Sequence, residues 1–364
     1  MTQSPDHPAA TRTPAQLNTE WRALRAQAPA LRARELAARL GVSEGELLAC
    51  RTGDGVIRLD AAAISDLFRA LPEVGRVMVL TRNESCVHEK KGWFEGVHLG
   101  PAMGAIVGGA IDLRVFLTHF KHGFAVTEES HGRHLESLQF FDDDGVAVHK
   151  VYRLDQTDPA AWQALVARFT HPDQTPGITV QAVADPLPHQ LDDAQVDAEA
   201  LRAGWRAMGY GPHELYGLLK RHQVTRLQAL RLVGPEFARK TSNSAVGHVL
   251  RETARSGLPI MVFTGSPGLV QIHSGPVRQI KDMAPWLNVL DDDFNLHLRA
   301  DHIAETWIVK KPTADGFVTS LEMYDAQGGQ IVQFFGQRLP GRPEITAWTR
   351  LMDSLPAPEA VAAA

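Results

Sequence analysis

The chain contains itself twice, and this constrains its fold more than any local motif. Sliding the 364-residue sequence along itself by 183 positions pairs Met78 with Met261, Val79 with Val262 and Thr81 with Thr264. The register holds without a gap through Val87/Val270, Gly92/Gly275, Leu113/Leu296, Val126/Val309, Ser137/Ser320, Leu138/Leu321, Asp142/Asp325 and Gly145/Gly328. A chain this long exceeds one small core, and self-similarity at a fixed shift predicts two related units, each large enough to fold.

Within each copy the pattern runs from helices to strands. From Leu17 to Leu71 the apolar spacing is helical, interrupted at Pro29, at Gly41 to Ser43 and at Gly53 to Gly55. Short β-rich runs follow at Val77 to Thr81, His88 to Gly92, Leu113 to Leu117, Gly123 to Thr127, Leu135 to Phe141 and Val146 to Tyr152, and Trp162 to Phe169 reads as a closing helix. The second copy repeats the order. Helical segments span Asp193 to Val233 and Ser244 to Ser256, strands lie near Ile260, Val270, Phe294, Thr306, Val318 and Gln330, and a helix from Ile345 to Ser354 closes the copy. Strands this closely spaced leave no room for parallel crossovers, so each unit is expected to be α+β with a large antiparallel sheet. The expected division is a tail at 1–16, a first repeat at 17–172, a Pro- and Asp-rich connector at 173–192, a second repeat at 193–355 and a tail at 356–364.

Composition narrows the function classes. A net charge of −5 offers no general basic field for nucleic acid. Cys50 and Cys86 are too few for a disulfide framework or a cysteine-rich metal site, which fits a reducing compartment. The opening residues lack the apolar stretch of a signal peptide, and no run of about 18 apolar residues could span a bilayer. These features predict a cytoplasmic protein without membrane insertion.

The segment from Gly211 to Lys220 carries the most chemistry. Pro212 suits the first turn of a helix and sets His213 near its amino-terminal end, where the helix dipole disfavours imidazolium and keeps a nitrogen lone pair for a metal. Leu215, Leu218 and Leu219 supply the core side, while His213, Tyr216, Gly217 and Lys220 share another. A glycine inside a helix costs about 1 kcal/mol relative to Ala. Gly217 therefore needs a reason, either close helix packing or a broad flat molecule lying against the backbone, and the pattern leaves both open.

Several separated strings, in order, resemble the cytoplasmic hemin-degrading and hemin-transport proteins of bacterial haem-uptake systems. They are Gly211 to Arg226, Leu227 to Val233, Lys240 to Ala245, Lys310 to Thr313 and Gly336 to Arg338, together with Arg82 to Glu84, Val87 to Glu89, Asp112 to Arg114 and Gln139 to Asp142. The resemblance covers nearly the whole chain except the tails. It implies haem b as ligand or substrate, with His213 as the axial ligand of the iron. It places Arg114 on the distal side, where a guanidinium, never a base at neutral pH, acts by hydrogen bonding. It assigns Arg226, Lys311, Gln333, Phe335 and Arg338 to the propionate end and brings Tyr216 and Gly217 beside the ring. Phe335 stands where the family more often has tyrosine. The resemblance also implies haem sequestration and transfer in iron acquisition, with a haem oxygenase or a membrane haem transporter as partner. It leaves open haem breakdown driven by an external electron donor. An alternative is a haem-responsive regulatory protein without catalysis, for which Arg221, Arg226, Arg231 and Lys240 supply local basic groups.

Other features read as ordinary structure. His119 with His122, and His131 with His134, bring no acidic or cysteine ligand at a metal-site spacing. Cys86 and His88 share a strand face, which makes His88 a secondary haem-contact candidate. Gly104 to Gly109 lacks both a Rossmann spacing and a Walker lysine, and Asp142 to Asp144 and Asp291 to Asp293 read as turns.

Overall fold

The structure, a computed structural model, describes residues 12–130, 132–181, 190–209, 212–313, 316–338 and 341–358; the side chains of residues 130, 212 and 213 lie outside the described set. The first half runs α1 (Pro14–Gln27), α2 (Ala33–Leu40), α3 (Glu44–Ala49), β1 (Val56–Leu59), α4 (Ile64–Ala70), β2 (Gly75–Arg82), β3 (Cys86–Gly92), β4 (Val97–Leu99), β5 (Met103–Ile106), β6 (Asp112–Phe116), β7 (His122–Ser130), β8 (Arg133–Phe141), β9 (Ala147–Thr157) and α5 (Pro159–Arg168). The second runs α6 (Ala198–Arg206), α7 (Pro212–His222), α8 (Arg226–Leu232), β10 (Ala238–Thr241), α9 (Ala245–Ser256), β11 (Ile260–Ser266), β12 (Leu269–Gly275), β13 (Ile280–Met283), β14 (Trp286–Leu290), β15 (Phe294–Arg299), β16 (Glu305–Thr313), β17 (Gly316–Tyr324), β18 (Gln330–Gly336) and α10 (Thr346–Ser354). Element by element the order is the same. The strands form two large antiparallel sheets, so the duplicated α+β class expected from the repeat is the class observed.

The compact units are discontinuous in sequence. One comprises residues 1–79, 97–104 and 115–183; the other comprises 80–96, 105–114 and 184–364. Segments of the first half therefore belong to the body built mainly from the second, and β3 pairs with β15 there, His88 opposite Leu296.

In the first unit the strands run β1-β7-β8-β9-β2. Helices α1 to α3 bury Leu17, Leu36, Ala37, Leu47 and Cys50 together, with Leu31 packed against them. Ser43 caps α3 and exchanges hydrogen bonds with Glu46, a reciprocal arrangement that satisfies two helix-start donors.

In the second unit one run is β3-β15-β14-β13 and another is β10-β16-β17-β18-β11-β12. The latter sheet buries both faces. Ile308, Leu321, Met323 and Ile331 pack with helices α9 and α10, whereas Trp307, Val309 and Tyr324 pack with α6 to α8 through Leu201, Trp205, Leu215, Leu218, Leu219 and Leu230. Each such side chain, fully buried, contributes about 1.5–3 kcal/mol. Gly204 of α6 lies where a Cβ would come within 2.4 Å of Leu218, so this glycine permits the approach of α6 to α7.

Several strands differ from the sequence expectation. β1 lies inside the stretch read as helical from Leu17 to Leu71, and β4, β5, β10, β13 and β14 stand where no strand was expected. None exceeds five residues. Such segments are too short to show a period and are held by their neighbours' ladders, as Val56–Leu59 is held by 123–126 of β7. Among the described residues, no helix is long and apolar enough to cross a membrane.

Candidate functional site

His213 is the second residue of α7, directly after Pro212, as the proline reading expects; its side chain lies outside the described residues. The rest of α7 resolves into faces. Leu215, Leu218 and Leu219 are buried, while Tyr216 is 54% exposed. A Cβ at Gly217 would meet nothing within 4 Å among the described residues, so close helix packing does not explain this glycine. One turn past His213 the helix thus presents bare backbone beside an exposed aromatic ring. Lys220, Arg221 and His222 fill the last turn, where cations complement the helix dipole.

Helix α7 ends on Gln223, whose positive φ of 53° turns the chain into the Thr225 cap of α8. That cap fixes Arg226 as the first residue of α8. Its guanidinium donates to Glu322 of β17 through both Nε, at 2.8 Å to Oε2, and Nη2, at 2.6 Å to Oε1. Glu322 is fully buried and also accepts from Ser320 Oγ at 2.7 Å, Tyr324 Oη at 2.6 Å and Gln330 Nε2 at 3.2 Å. Such a fork-to-fork pair is among the stronger hydrogen-bonded arrangements.

Lys311 of β16 stands 3.6 Å from Glu322 Oε1, and its ammonium lies 5.5 Å from the Phe335 ring centroid. The strand register explains the gathering. Glu322 faces Gln333, Ser320 faces Phe335, and Val318 faces Lys311, and directly opposite residues of an antiparallel pair share a face. Gln333 and Phe335 thus lie on one side, as alternation predicts. Phe335 also packs against Phe263 with ring centroids 4.9 Å apart. The Gln333 Nε2 amide is buried and has no hydrogen-bond partner among the described residues. Arg338 follows the end of β18 and is half-buried.

The electrostatics follow from counting. Arg226 and Lys311 carry two positive charges against one carboxylate, leaving a surplus of one. Burial alone raises a carboxyl, but Arg226 and Lys311 outweigh it and hold Glu322 well below the usual carboxylate range. Burial raises Tyr324, and the neighbouring Glu322 charge raises it further, so the phenol stays protonated. Burial first, and then the Arg226 guanidinium, push Lys311 down to about 8, against the pull of Glu322. The Lys311 ammonium and the Gln333 amide, which has no partner among the described residues, are hydrogen-bond donors on one sheet face.

Arg114 lies on β6 and belongs to the same compact unit as α7 and β16 to β18. It pairs with Asp112, two residues back on the same strand face, and its side chain stays 42% exposed. Burial raises the Asp112 carboxyl, and Arg114 opposes the shift. His88 is fully buried on β3 with its ring edge-on to Phe294, which makes it a core residue. His134 bonds Glu129 at the surface, and His131 lies outside the described residues. Among the described residues no three His, Cys, Asp or Glu side chains are grouped to hold a metal ion.

Glu322 and Tyr324 were missed by the sequence reading. The available signal was a charged residue inside the otherwise uncharged, strand-patterned run Val318 to Tyr324, which in a sheet covered on both faces requires a buried partner.

The model for the haemin-degrading HemS.ChuX domain matches this chain at residues 41–169 and again at 223–355, once in each copy of the repeat. The chain belongs to the HemS.ChuX family. It is 41% identical over 92% of its length to the hemin transport protein HmuS of Yersinia pestis, of which it covers 95%. It is similar in structure to holo-PhuS, a heme-binding protein from Pseudomonas aeruginosa, with a TM-score of 0.92 and 46% identity over 95% of this chain and all of that one. The heme degrading enzyme ChuS of Escherichia coli O157:H7 gives a TM-score of 0.88 with 38% identity over 94% of this chain and all of that one.

Proposed function

We propose that this chain is a cytoplasmic haem-binding protein of haem uptake and iron acquisition, taking up haem b and passing it on. In this reading His213 supplies the axial nitrogen to the iron, and a helix start favours the neutral imidazole that ligation needs. The bare Gly217 backbone and the Tyr216 ring give a flat macrocycle a surface to lie on. Lys311 and Gln333, with Arg338 near by and Arg226 behind them, form the anionic end. The observation that carries the reading is a half-buried cluster with one unbalanced positive charge, in the same compact unit as the His213 helix. An apolar disc bearing carboxylates requires that combination.

Arg114 is proposed for the opposite side of the iron, where its fixed charge hydrogen-bonds to exchangeable ligands without acting as a base. A second reading, haem breakdown fed by an external reductant, is favoured by the likeness to the enzyme ChuS. Purified hemin complex given a physiological electron donor in the presence of catalase separates the two. Release of iron with one defined tetrapyrrole product establishes the enzyme; a haem spectrum lost only when peroxide accumulates supports the carrier. A haem oxygenase or a membrane haem transporter is the expected partner, and a change in affinity for either on hemin loading tests that expectation.

A further inference from the structure

We infer that the first copy carries a binding site of its own, a pocket at the β1 edge of its sheet that takes one small apolar carboxylate on Arg58, Lys121 and His122. The site shares no residue with those proposed to hold haem.

The pocket is a cavity of about 400 Å³ lined by Arg58 and Leu59 of β1, by Lys121, by His122 and Phe124 of β7, and by Ile178 of the connector. That volume suits a small ligand with an apolar body and a few polar contacts. Arg58 stands opposite Phe124, and His122 lies two residues along the same face of β7. The second copy shows this frame closed. Lys240 of β10 stands opposite Trp307 as Arg58 does opposite Phe124, and Glu305 of β16 is opposite Tyr324 as His122 is opposite Phe141. There the Glu305 carboxylate lies 3.5 Å from the Lys240 ammonium and accepts from Trp307 Nε1 at 2.8 Å. The first copy keeps the cation and replaces the carboxylate with an imidazole. A ligand carboxylate restores what Glu305 supplies in the twin.

The polar groups are placed for it. Connector carbonyls anchor Arg58, whose Nη2 donates to Thr175 O at 2.7 Å and to Gly177 O, while Nη1 lies 3.5 Å from Asp173. Its Nε is a buried donor with no partner among the described residues, and His122 Nε2 is likewise buried and unpartnered there. Leaving such a group unsatisfied costs about 1–3 kcal/mol, which a bound acceptor relieves. Lys121 holds Asp143 loosely, at 3.4 Å, with 43% of its side chain exposed. The other carboxylates near by are engaged within the protein, Asp60 accepting from the Ala62 N–H at 3.0 Å and Asp173 from the Thr175 N–H at 2.8 Å. His171, also at the rim, accepts from the Asp173 N–H at 3.0 Å. Burial lowers the His122 pKa, Asp143 pulls the other way, and Arg58 and Lys121 lower it further. A carboxylate beside the ring reverses that balance, so the imidazole takes up a proton as the ligand binds and then donates from both nitrogens.

The test compares benzoate with benzamide, a neutral molecule of the same shape, on the full-length wild-type protein, reading the His122 ring and Ile178 methyl signals by nuclear magnetic resonance of histidine- and isoleucine-labelled protein. Benzoate should shift both signals saturably and bind about tenfold more tightly than benzamide, one charged contact being worth about one decade. It should raise the His122 titration midpoint by about one pH unit, so that its affinity falls about tenfold as pH rises through the free and bound midpoints. His122→Glu places the twin's carboxylate beside Arg58 and should leave the Ile178 signal unmoved by benzoate. His122→Gln should still bind, with that pH dependence gone. Equal responses to benzoate and benzamide, a His122 midpoint that does not move, or benzoate binding that leaves both signals in place would each overturn the inference. So would a His122→Glu protein that binds benzoate as before. The wild-type comparison needs no variant to fold.

Discussion

The helix hairpin α2–α3 of the first copy and the hairpin α7–α8 of the second have one frame and opposite chemistry. Gly41 and Gln223 occupy the same turn with φ of 63° and 53°, and Ser43 and Thr225 cap the helices that follow through the same reciprocal bonds. On that frame Leu31 stands in the place of His213, Glu35 in that of Gly217, and Glu44 in that of Arg226. The sheets beneath match too. Ser137 and Gln139 hydrogen-bond to each other in the first copy as Ser320 and Glu322 do in the second, and Lys150 holds the position of Gln333.

In the first copy Glu44 and Lys150 form a buried ion pair that cancels, whereas in the second Arg226 and Lys311 outnumber Glu322. Leu31 packs into the first copy's apolar cluster. One hairpin is closed on its own balanced charges, and its twin keeps a surplus cation, an unpartnered amide and bare helix backbone. Duplication supplied a stable frame, and a handful of substitutions on it separate the closed hairpin from the one proposed to bind haem.

The contrast can be broken in several ways. Glu44→Gln strips a buried ammonium of its partner and should destabilise the protein by about 3–5 kcal/mol in denaturant unfolding, with hemin affinity per folded molecule unchanged. A parallel fall in affinity would erase the division of roles. His213→Ala should weaken hemin binding about a hundredfold, or about 2.8 kcal/mol, and alter the absorption spectrum, while Leu31→Ala leaves the spectrum as it was.

Lys311→Met should cost about tenfold in hemin affinity below pH 8 and remove the fall in affinity as pH rises through 8. The direction follows from the depressed pKa. Lys311 is charged below about 8, so its attraction for a carboxylate is complete there and lost as pH rises through 8. Its effect on folding runs the other way: the buried ammonium is a cost at low pH, relieved between about 8 and the ordinary lysine value. Affinity that stays level up to pH 10 would remove Lys311 from the site. The smallest effect is expected from Gly217→Ala, which should stabilise α7 by about 0.5–1 kcal/mol while weakening hemin binding. A stabilised variant with unchanged affinity would show that the bare backbone is not used.

Much of the fold was legible because the repeat and the period-two runs, such as Leu135 to Phe141, are local signals that burial on a sheet face imposes. β1, β10 and the pairs β4–β5 and β13–β14 were not, since strands of three to five residues are too short to show a period; β1 and β10 take their ladders from the distant β7 and β16, while β13 and β14 pair with each other across a two-residue turn. The site divided the same way. Pro212, His213 and Gly217 lie within one helical turn and a half, so the proposal for them rests on a local pattern. The neutralisation of Arg226 by Glu322, 96 residues away, could not be read that way, because nothing in either local pattern names the other. A count of basic residues at the proposed propionate end therefore overstates the positive charge that Arg226, Lys311 and Glu322 together present.

The central claim is that iron is ligated only by the second copy. Nitrogen hyperfine spectroscopy of the ferric complex, made with 15N-histidine-labelled protein and a stoichiometric hemin titration, measures this directly. One hemin per chain with a single histidine nitrogen on iron, lost in His213→Ala and kept in Leu31→Ala, is the predicted result. A second equivalent bound with histidine ligation, or an unchanged nitrogen signal in His213→Ala, would contradict it.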